Sequence, residues 1–309
     1  MRTAFVETVC ALARADRRVM LLTADLGYNA LEPFAAAFPE RFFNVGVAEQ
    51  NMIGVATGLA AGGMIPFCYS IAPFAALRPY EFLRNGPILH RSRVRVAGVG
   101  AGFEYGTAGP SHHGIDDAAA LRPHPGLTIV TPAEPAQLAA ALRATWDQDG
   151  PVYYRIGKDD AVRVPGLDGR FRAGRAEIVR DGRDVALIAM GTLASEACAA
   201  ADLLAERGIS ASVAVVSTFN PSPVDDLTEL VRAHALIVSV EAQYVAGGLG
   251  SLVAETIAED GAAARLVRIG VRNPPQSFSG SQRFYHALHE LDRDAIARRV
   301  LTVLAGERV

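Results

Sequence analysis

A carboxylate stands out in the segment Phe43-Asn44-Val45-Gly46-Val47-Ala48-Glu49-Gln50-Asn51-Met52, where an apolar strand runs into an apolar helix dotted with Gly54, Gly58, Gly62 and Gly63. Glu49 in the first turn of that helix has two meanings. It meets the helix dipole favourably, as many structural acids do. Alternatively it is shielded from water, so that desolvation raises its pKa and lets it donate or relay a proton near neutral pH. A second candidate is the run Gly98-Val99-Gly100-Ala101-Gly102 followed by Gly106-Thr107-Ala108-Gly109-Pro110-Ser111-His112-His113-Gly114. A dinucleotide-binding glycine loop would need glycine where Tyr105 stands, and a phosphate loop would need a Lys-Ser or Lys-Thr pair that is missing. What remains is a glycine-rich loop after a strand, at the sheet edge where ligands bind. Adjacent histidines project differently, so one imidazole doing hydrogen-bond or proton work suits the loop better than a metal pair; a solvated turn is the plain alternative. Arg155, ending the strand-like Val152-Tyr153-Tyr154-Arg155, either clamps a phosphate or forms an ion pair. Phe74, between Pro73 and Pro79 in the segment Ser70–Tyr80, is either core or a face on which a flat ring stacks.

Those residues need a scaffold, and the chain has one. Its 309 residues suggest two α/β domains of typical size. Half the residues are apolar, a fifth are charged and the net charge is −3, a globular composition with no basic excess for nucleic acid or acidic lipid. Cys10, Cys68 and Cys198 lie far apart, so neither a disulfide framework nor a zinc ligand set is read, and no metal ligands are assigned. No apolar run approaches the roughly 20 residues that span a bilayer, and no signal-peptide core is present, which points to the cytoplasm. Strands are expected at 19–24, 65–69, 93–99, 127–131 and 152–155, with helices at 5–15, 48–62, 73–85 and 134–146 between them. The strands are continuously apolar, as strands buried on both faces are. Residues 157–183 have linker composition, with room for a short hairpin. Beyond them the alternation restarts: strands at 185–190, 211–216, 236–240 and 265–269, helices at 195–207, 249–258 and 292–304. The pattern predicts two doubly wound α/β domains with mostly parallel sheets, 1–174 and 175–309.

Taken together and in this order, the segments resemble the pyrimidine-binding and C-terminal domains of the transketolase family over essentially the whole chain. Phe42–Gln50 resembles that family's glutamate segment, and Gly109-Pro110-Ser111-His112-His113-Gly114 its Gly-Pro-Thr-His loop. Thr23-Ala24-Asp25-Leu26, Val152–Lys158 and Val240-Glu241-Ala242-Gln243 with Gly247-Gly248-Leu249-Gly250 add to it. The resemblance implies thiamine diphosphate as cofactor. Glu49 would hydrogen-bond the N1′ nitrogen of its aminopyrimidine, Phe74 would stack on that ring, and Ile71 and Asp25 would lie beside it. His112 would contact the ketose, Arg155 would clamp a sugar phosphate, and Asn29 would help to bind substrate. The C-terminal domain is read as structural, with Glu241 unassigned and the Gly247–Gly250 turn a candidate anion site.

Departures from the family are concentrated on the substrate side. Ala108 replaces an aspartate, Gly100 a histidine, and Ile71 and Leu77 replace aromatic residues near the pyrimidine. No Gly-Asp-Gly, the family's motif for the diphosphate and its divalent metal, occurs in the sequence. The chain therefore resembles the second half of a split transketolase. An N-terminal-half partner would carry the diphosphate and Mg2+ (or Ca2+), in an α2β2 assembly. Three alternatives are weighed: a 1-deoxyxylulose-5-phosphate synthase-like subunit, a 2-oxo acid dehydrogenase β-like subunit, which would lack the Gly-Pro-Ser-His loop, and a non-catalytic subunit.

Overall fold

In a computed structural model, residues 1–273 and 277–306 are described. The first half runs α1 (Arg2–Ala15), β1 (Val19–Thr23), α2 (Glu32–Ala37), β2 (Phe42–Asn44), α3 (Glu49–Ala61), β3 (Ile65–Ile71), α4 (Ala72–Ala76), α5 (Tyr80–Leu83), β4 (Arg95–Val99), α6 (Asp117–Leu121), β5 (Thr128–Val130), α7 (Pro135–Thr145) and β6 (Val152–Ile156). The second runs β7 (Ala176–Arg180), β8 (Val185–Met190), α8 (Ala194–Ala205), β9 (Ala211–Val216), β10 (Thr218–Asn220), α9 (Val224–Ala233), β11 (Leu236–Tyr244), α10 (Leu249–Asp260), β12 (Arg265–Val271), α11 (Gln282–Leu288) and α12 (Arg293–Leu304).

Two sheets result, with strand orders β10-β5-β6-β4-β3-β1-β2 and β12-β11-β8-β9-β7. Pairing is parallel except for the edge strands β10 and β7, so the expected mixed α/β class with mostly parallel sheets is what the chain adopts. Every residue of β3, β4, β6, β8 and β9 is buried, in keeping with sheets covered by helices on both faces.

The differences from the expected elements have local causes. The helix expected over 73–85 is broken into α4 and α5 because Pro79 lacks an N–H and disfavours helical geometry at Arg78. The glycine-rich 157–183 segment contains β7, an antiparallel edge strand. The sequence pattern assigns nothing to 217–235, which holds β10 and α9. The helix α9 buries Leu227, Leu230 and Val231 along one stripe. Strand β10 crosses over: it leaves the second sheet's territory and pairs antiparallel with β5 in the first. The halves are stitched further where Thr131 donates to Ser217 O at 2.7 Å and Tyr244 to Ile115 O at 2.8 Å.

Candidate active site

In the first sheet the chain leaves β1 for β2 on one side and returns to β3 on the other. The crevice between β1 and β3, at the strands' carboxyl ends, is the position where an open α/β sheet binds ligands. Three elements meet there. The turn after β1 carries Asp25, the turn after β2 opens α3 with Glu49, and β3 ends in Ser70 and Ile71 just before α4 brings Phe74.

Glu49 is 3% exposed, and its carboxylate is met by side chains alone among the described residues. The Ser70 hydroxyl donates to Oε1 at 3.1 Å, and the Arg78 guanidinium donates to Oε2 at 3.0 Å. Arg78 also lies over the Phe74 ring, with Cζ 3.8 Å from the centroid, a cation–π contact. His112 meets the same ring edge-on at 4.9 Å and shares a 3.0 Å hydrogen bond with the Ser111 hydroxyl through Nδ1. Burial, and then the Arg78 charge, push the His112 pKa below its ordinary value. The second histidine turns inward: His113 is buried and packs edge-on to Phe103 and Tyr285.

Asp25 sits at the rim with φ 56°, accepting hydrogen bonds from Asn44 Nδ2 at 2.9 Å and the Tyr28 hydroxyl at 2.9 Å, and these two bonds lower its pKa. Ile71 is buried at the floor. Asn29 lies to one side, in a hollow of about 380 Å³ that it shares with Arg2, Cys10 and Asp160. Gly100 has an explanation in shape. Its φ is +82°, and a Cβ there would come within 2.1 Å of the Tyr105 ring, whose centroid is 6.4 Å from that of His112. Tyr105 thus fills the space that a side chain at position 100 would enter.

Two expectations are corrected. Arg155 does not present a free guanidinium: it is 3% exposed, with Nε on Asp117 at 3.1 Å and Nη2 on the carbonyls of Gly114 at 2.6 Å and Ala242 at 3.0 Å. Tyr153 and Gln243 donate to the same Asp117, so Arg155 is the centre of a buried network that ties β6 to β11. The Gly247–Gly250 turn is likewise occupied from within. Leu249 and Gly250, at the start of α10, donate their backbone N–H groups to the two oxygens of Glu241 at 2.6 and 2.8 Å. Glu241 is a helix cap, and burial raises its pKa to about 7 despite those donors.

The sequence reading omits four polar side chains. Ser70 and Arg78 complete the Glu49 environment. Arg78 lies four residues after Phe74, a helical spacing that is the available signal. Lys158 places Nζ 4.0 Å from the Tyr105 centroid, and Arg2 has a buried Nε with no hydrogen-bond partner among the described residues. Among those residues, too, no group of three His, Cys, Asp or Glu is placed to hold a metal ion.

Two parallel α/β domains with a buried acid, an aromatic face and an imidazole at a sheet edge describe a cofactor-handling architecture, and comparison with known proteins gives its family. Residues 1–162 match the transketolase pyrimidine-binding domain and residues 174–296 the transketolase C-terminal domain. The chain belongs to the transketolase family, whose members use thiamine diphosphate. It is 35% identical to a putative transketolase C-terminal section of Methanocaldococcus jannaschii, across 99% of this chain and 97% of that one. It is 33% identical to one of the subunits of an apulose-4-phosphate transketolase of Actinobacillus succinogenes, across 88% of each. A solved split-gene transketolase, an inactive β4 tetramer, superposes with a TM-score of 0.88 at 34% identity, covering 99% of both chains.

Proposed function

We propose that this chain is the pyrimidine-binding and C-terminal subunit, with domains 1–174 and 175–309, of a cytoplasmic, thiamine diphosphate-dependent split transketolase. It acts with an N-terminal-half partner in an α2β2 complex. The complex moves a two-carbon ketol unit from a ketose, as its sugar phosphate, to an aldehyde acceptor. One observation carries this: a single planar guanidinium, that of Arg78, touches the Glu49 carboxylate and the Phe74 ring at once. A flat heteroaromatic ring with a hydrogen-bonding edge fits the same two groups.

When bound, the cofactor supplies the carbon nucleophile that takes up and passes on the ketol unit. This chain's residues orient and protonate. Glu49 would hydrogen-bond the pyrimidine's N1′, and its burial would keep water from competing for that bond. Phe74 and Ile71 hold the ring plane, and Asp25 lies beside it. His112, with its pKa lowered, stands mostly neutral at pH 7 and hydrogen-bonds the ketose hydroxyls or carbonyl oxygen. Asn29 binds substrate from the adjoining hollow. With Arg155 committed elsewhere, Arg2, which lines that hollow, and Lys158, beside Tyr105, are the cations we assign to a phosphate.

The partner supplies the diphosphate site with its Mg2+ or Ca2+. Its docking is supported by α3, whose inner face buries Met52, Ile53 and Ala56. The outer side presents Val55 together with Val47 (72% exposed), Phe43 and Phe82. Exposed large apolar side chains around one helix mark an interaction surface. The test is reconstitution with the partner, assayed with ketose phosphates and with pyruvate. Ketol transfer that requires both chains and fails on Glu49→Gln supports the proposal. Full activity of this chain alone removes the split site, and turnover of pyruvate without ketose turnover makes it synthase-like.

A further inference from the structure

In this chain the two groups assigned to the cofactor's pyrimidine are already engaged by one side chain. The Arg78 guanidinium lies 3.8 Å over the Phe74 centroid and donates to Glu49 Oε2 at 3.0 Å, and its charge also bears on His112. A guanidinium is flat, aromatic-stacking and rich in N–H donors, so it offers Glu49 and Phe74 the two contacts that an aminopyrimidine would offer. Ring face and carboxylate cannot serve both at once.

We propose that Arg78 is a built-in placeholder for the pyrimidine ring, which must swing out before the cofactor can enter. It keeps the pocket closed in the unpartnered subunit. The proposal rests on the cofactor site described above. Three features favour a group that leaves rather than one that stays. The Arg78 side chain is 45% exposed while that of Glu49 is 2% exposed, so the arginine reaches in from solvent. Its partners within the pocket are Glu49 and Phe74, and no backbone carbonyl among the described residues anchors it, in contrast to Arg155. It also lies in the short link between α4 and α5, outside both helices, where Pro79 interrupts the helix. Without the guanidinium, the buried Glu49 carboxylate would keep, among the described residues, the Ser70 hydroxyl alone as donor. The placeholder thus stabilises the subunit while it waits.

The placeholder can be tested by binding rather than turnover. Thiamine diphosphate with Mg2+ is titrated by calorimetry into the reconstituted complex carrying wild-type chain, Arg78→Ala, Arg78→Lys, Phe74→Ala or Glu49→Gln. The isolated aminopyrimidine alcohol is titrated into this chain alone. Removing a half-exposed ion pair and a cation–π contact should tighten both by about 5- to 30-fold in Arg78→Ala. Arg78→Lys, which keeps charge but not the plane, should fall between. Folding of the variants is checked by circular dichroism. Unchanged or weaker binding in Arg78→Ala, with weakened binding in Phe74→Ala and Glu49→Gln, overturns the placeholder and leaves the cofactor site standing. If neither Phe74→Ala nor Glu49→Gln weakens binding, the site itself is wrong and the placeholder falls with it.

Discussion

Two buried glutamates lie beside helix starts at the carboxyl edges of the two sheets, and they have opposite fates. Glu241, in β11, spends both oxygens on backbone N–H groups of α10. Glu49, in the first turn of α3, is satisfied by side chains, a serine and a half-exposed arginine. Burial and residue type are shared, so neither separates a structural acid from one free to work. The partners do. Backbone donors cannot move away, whereas an arginine can be displaced by a ligand. The same contrast divides two arginines: Arg155 is fixed by Asp117 and two carbonyls, while Arg78 reaches in from solvent.

The comparison breaks most readily at Glu49. Glu49→Gln should lower ketol transfer by the reconstituted complex at least about 10²-fold, the scale of positioned acid–base catalysis. Glu241→Gln should leave the rate within a factor of about 2, because a helix cap does not take part in that acid–base step. Equal losses in the two would erase the distinction. Arg155 gives the next effect, and it is one of stability. Arg155→Met leaves Asp117 buried without its counter-ion and should cost about 3–5 kcal/mol in a urea titration, the usual penalty for breaking a buried pair. A folded variant with only a raised KM for the sugar phosphate would restore the clamp. Smaller still is Glu241→Ala, which uncaps α10 and should cost about 1–3 kcal/mol, seen as a fall in Tm of about 3–8 °C.

The remaining expected effect is acid lability, and it belongs to the second domain's seam rather than to His112 alone. Burial pushes His286 down to about 4 and lowers His113 and His289. With folded pKa values below the unfolded value of about 6.5, these groups contribute stability that is full above that pH. It is lost as pH falls toward about 4. Tm should therefore decline between about pH 6.5 and 4, and His286→Phe should flatten that decline. A Tm that rises on acidification would reverse the sign.

Much of this was readable in the residues. Continuous apolar strands announced parallel sheets, and the Phe43–Met52 and Gly109–Gly114 segments located Glu49 and His112. The losses occurred where a partner distant in sequence decides a residue's role. Nothing around Val152–Arg155 reveals that Asp117 and Ala242 meet the guanidinium. Nothing around Gly247 reveals that Glu241 already fills the turn. Arg78 is announced only by its four-residue spacing from Phe74, and nothing local shows that it reaches Glu49. Strand β10 is too short to carry a pattern of its own.

That short strand has a consequence for how the molecule can be cut. Removing everything after residue 174 would take away the three residues that cover β5, leaving open backbone groups along that side of the larger sheet. Expressed alone, such a fragment would tend to stick to itself through that bare margin. The boundary between the two modules in sequence is thus not a boundary between their sheets.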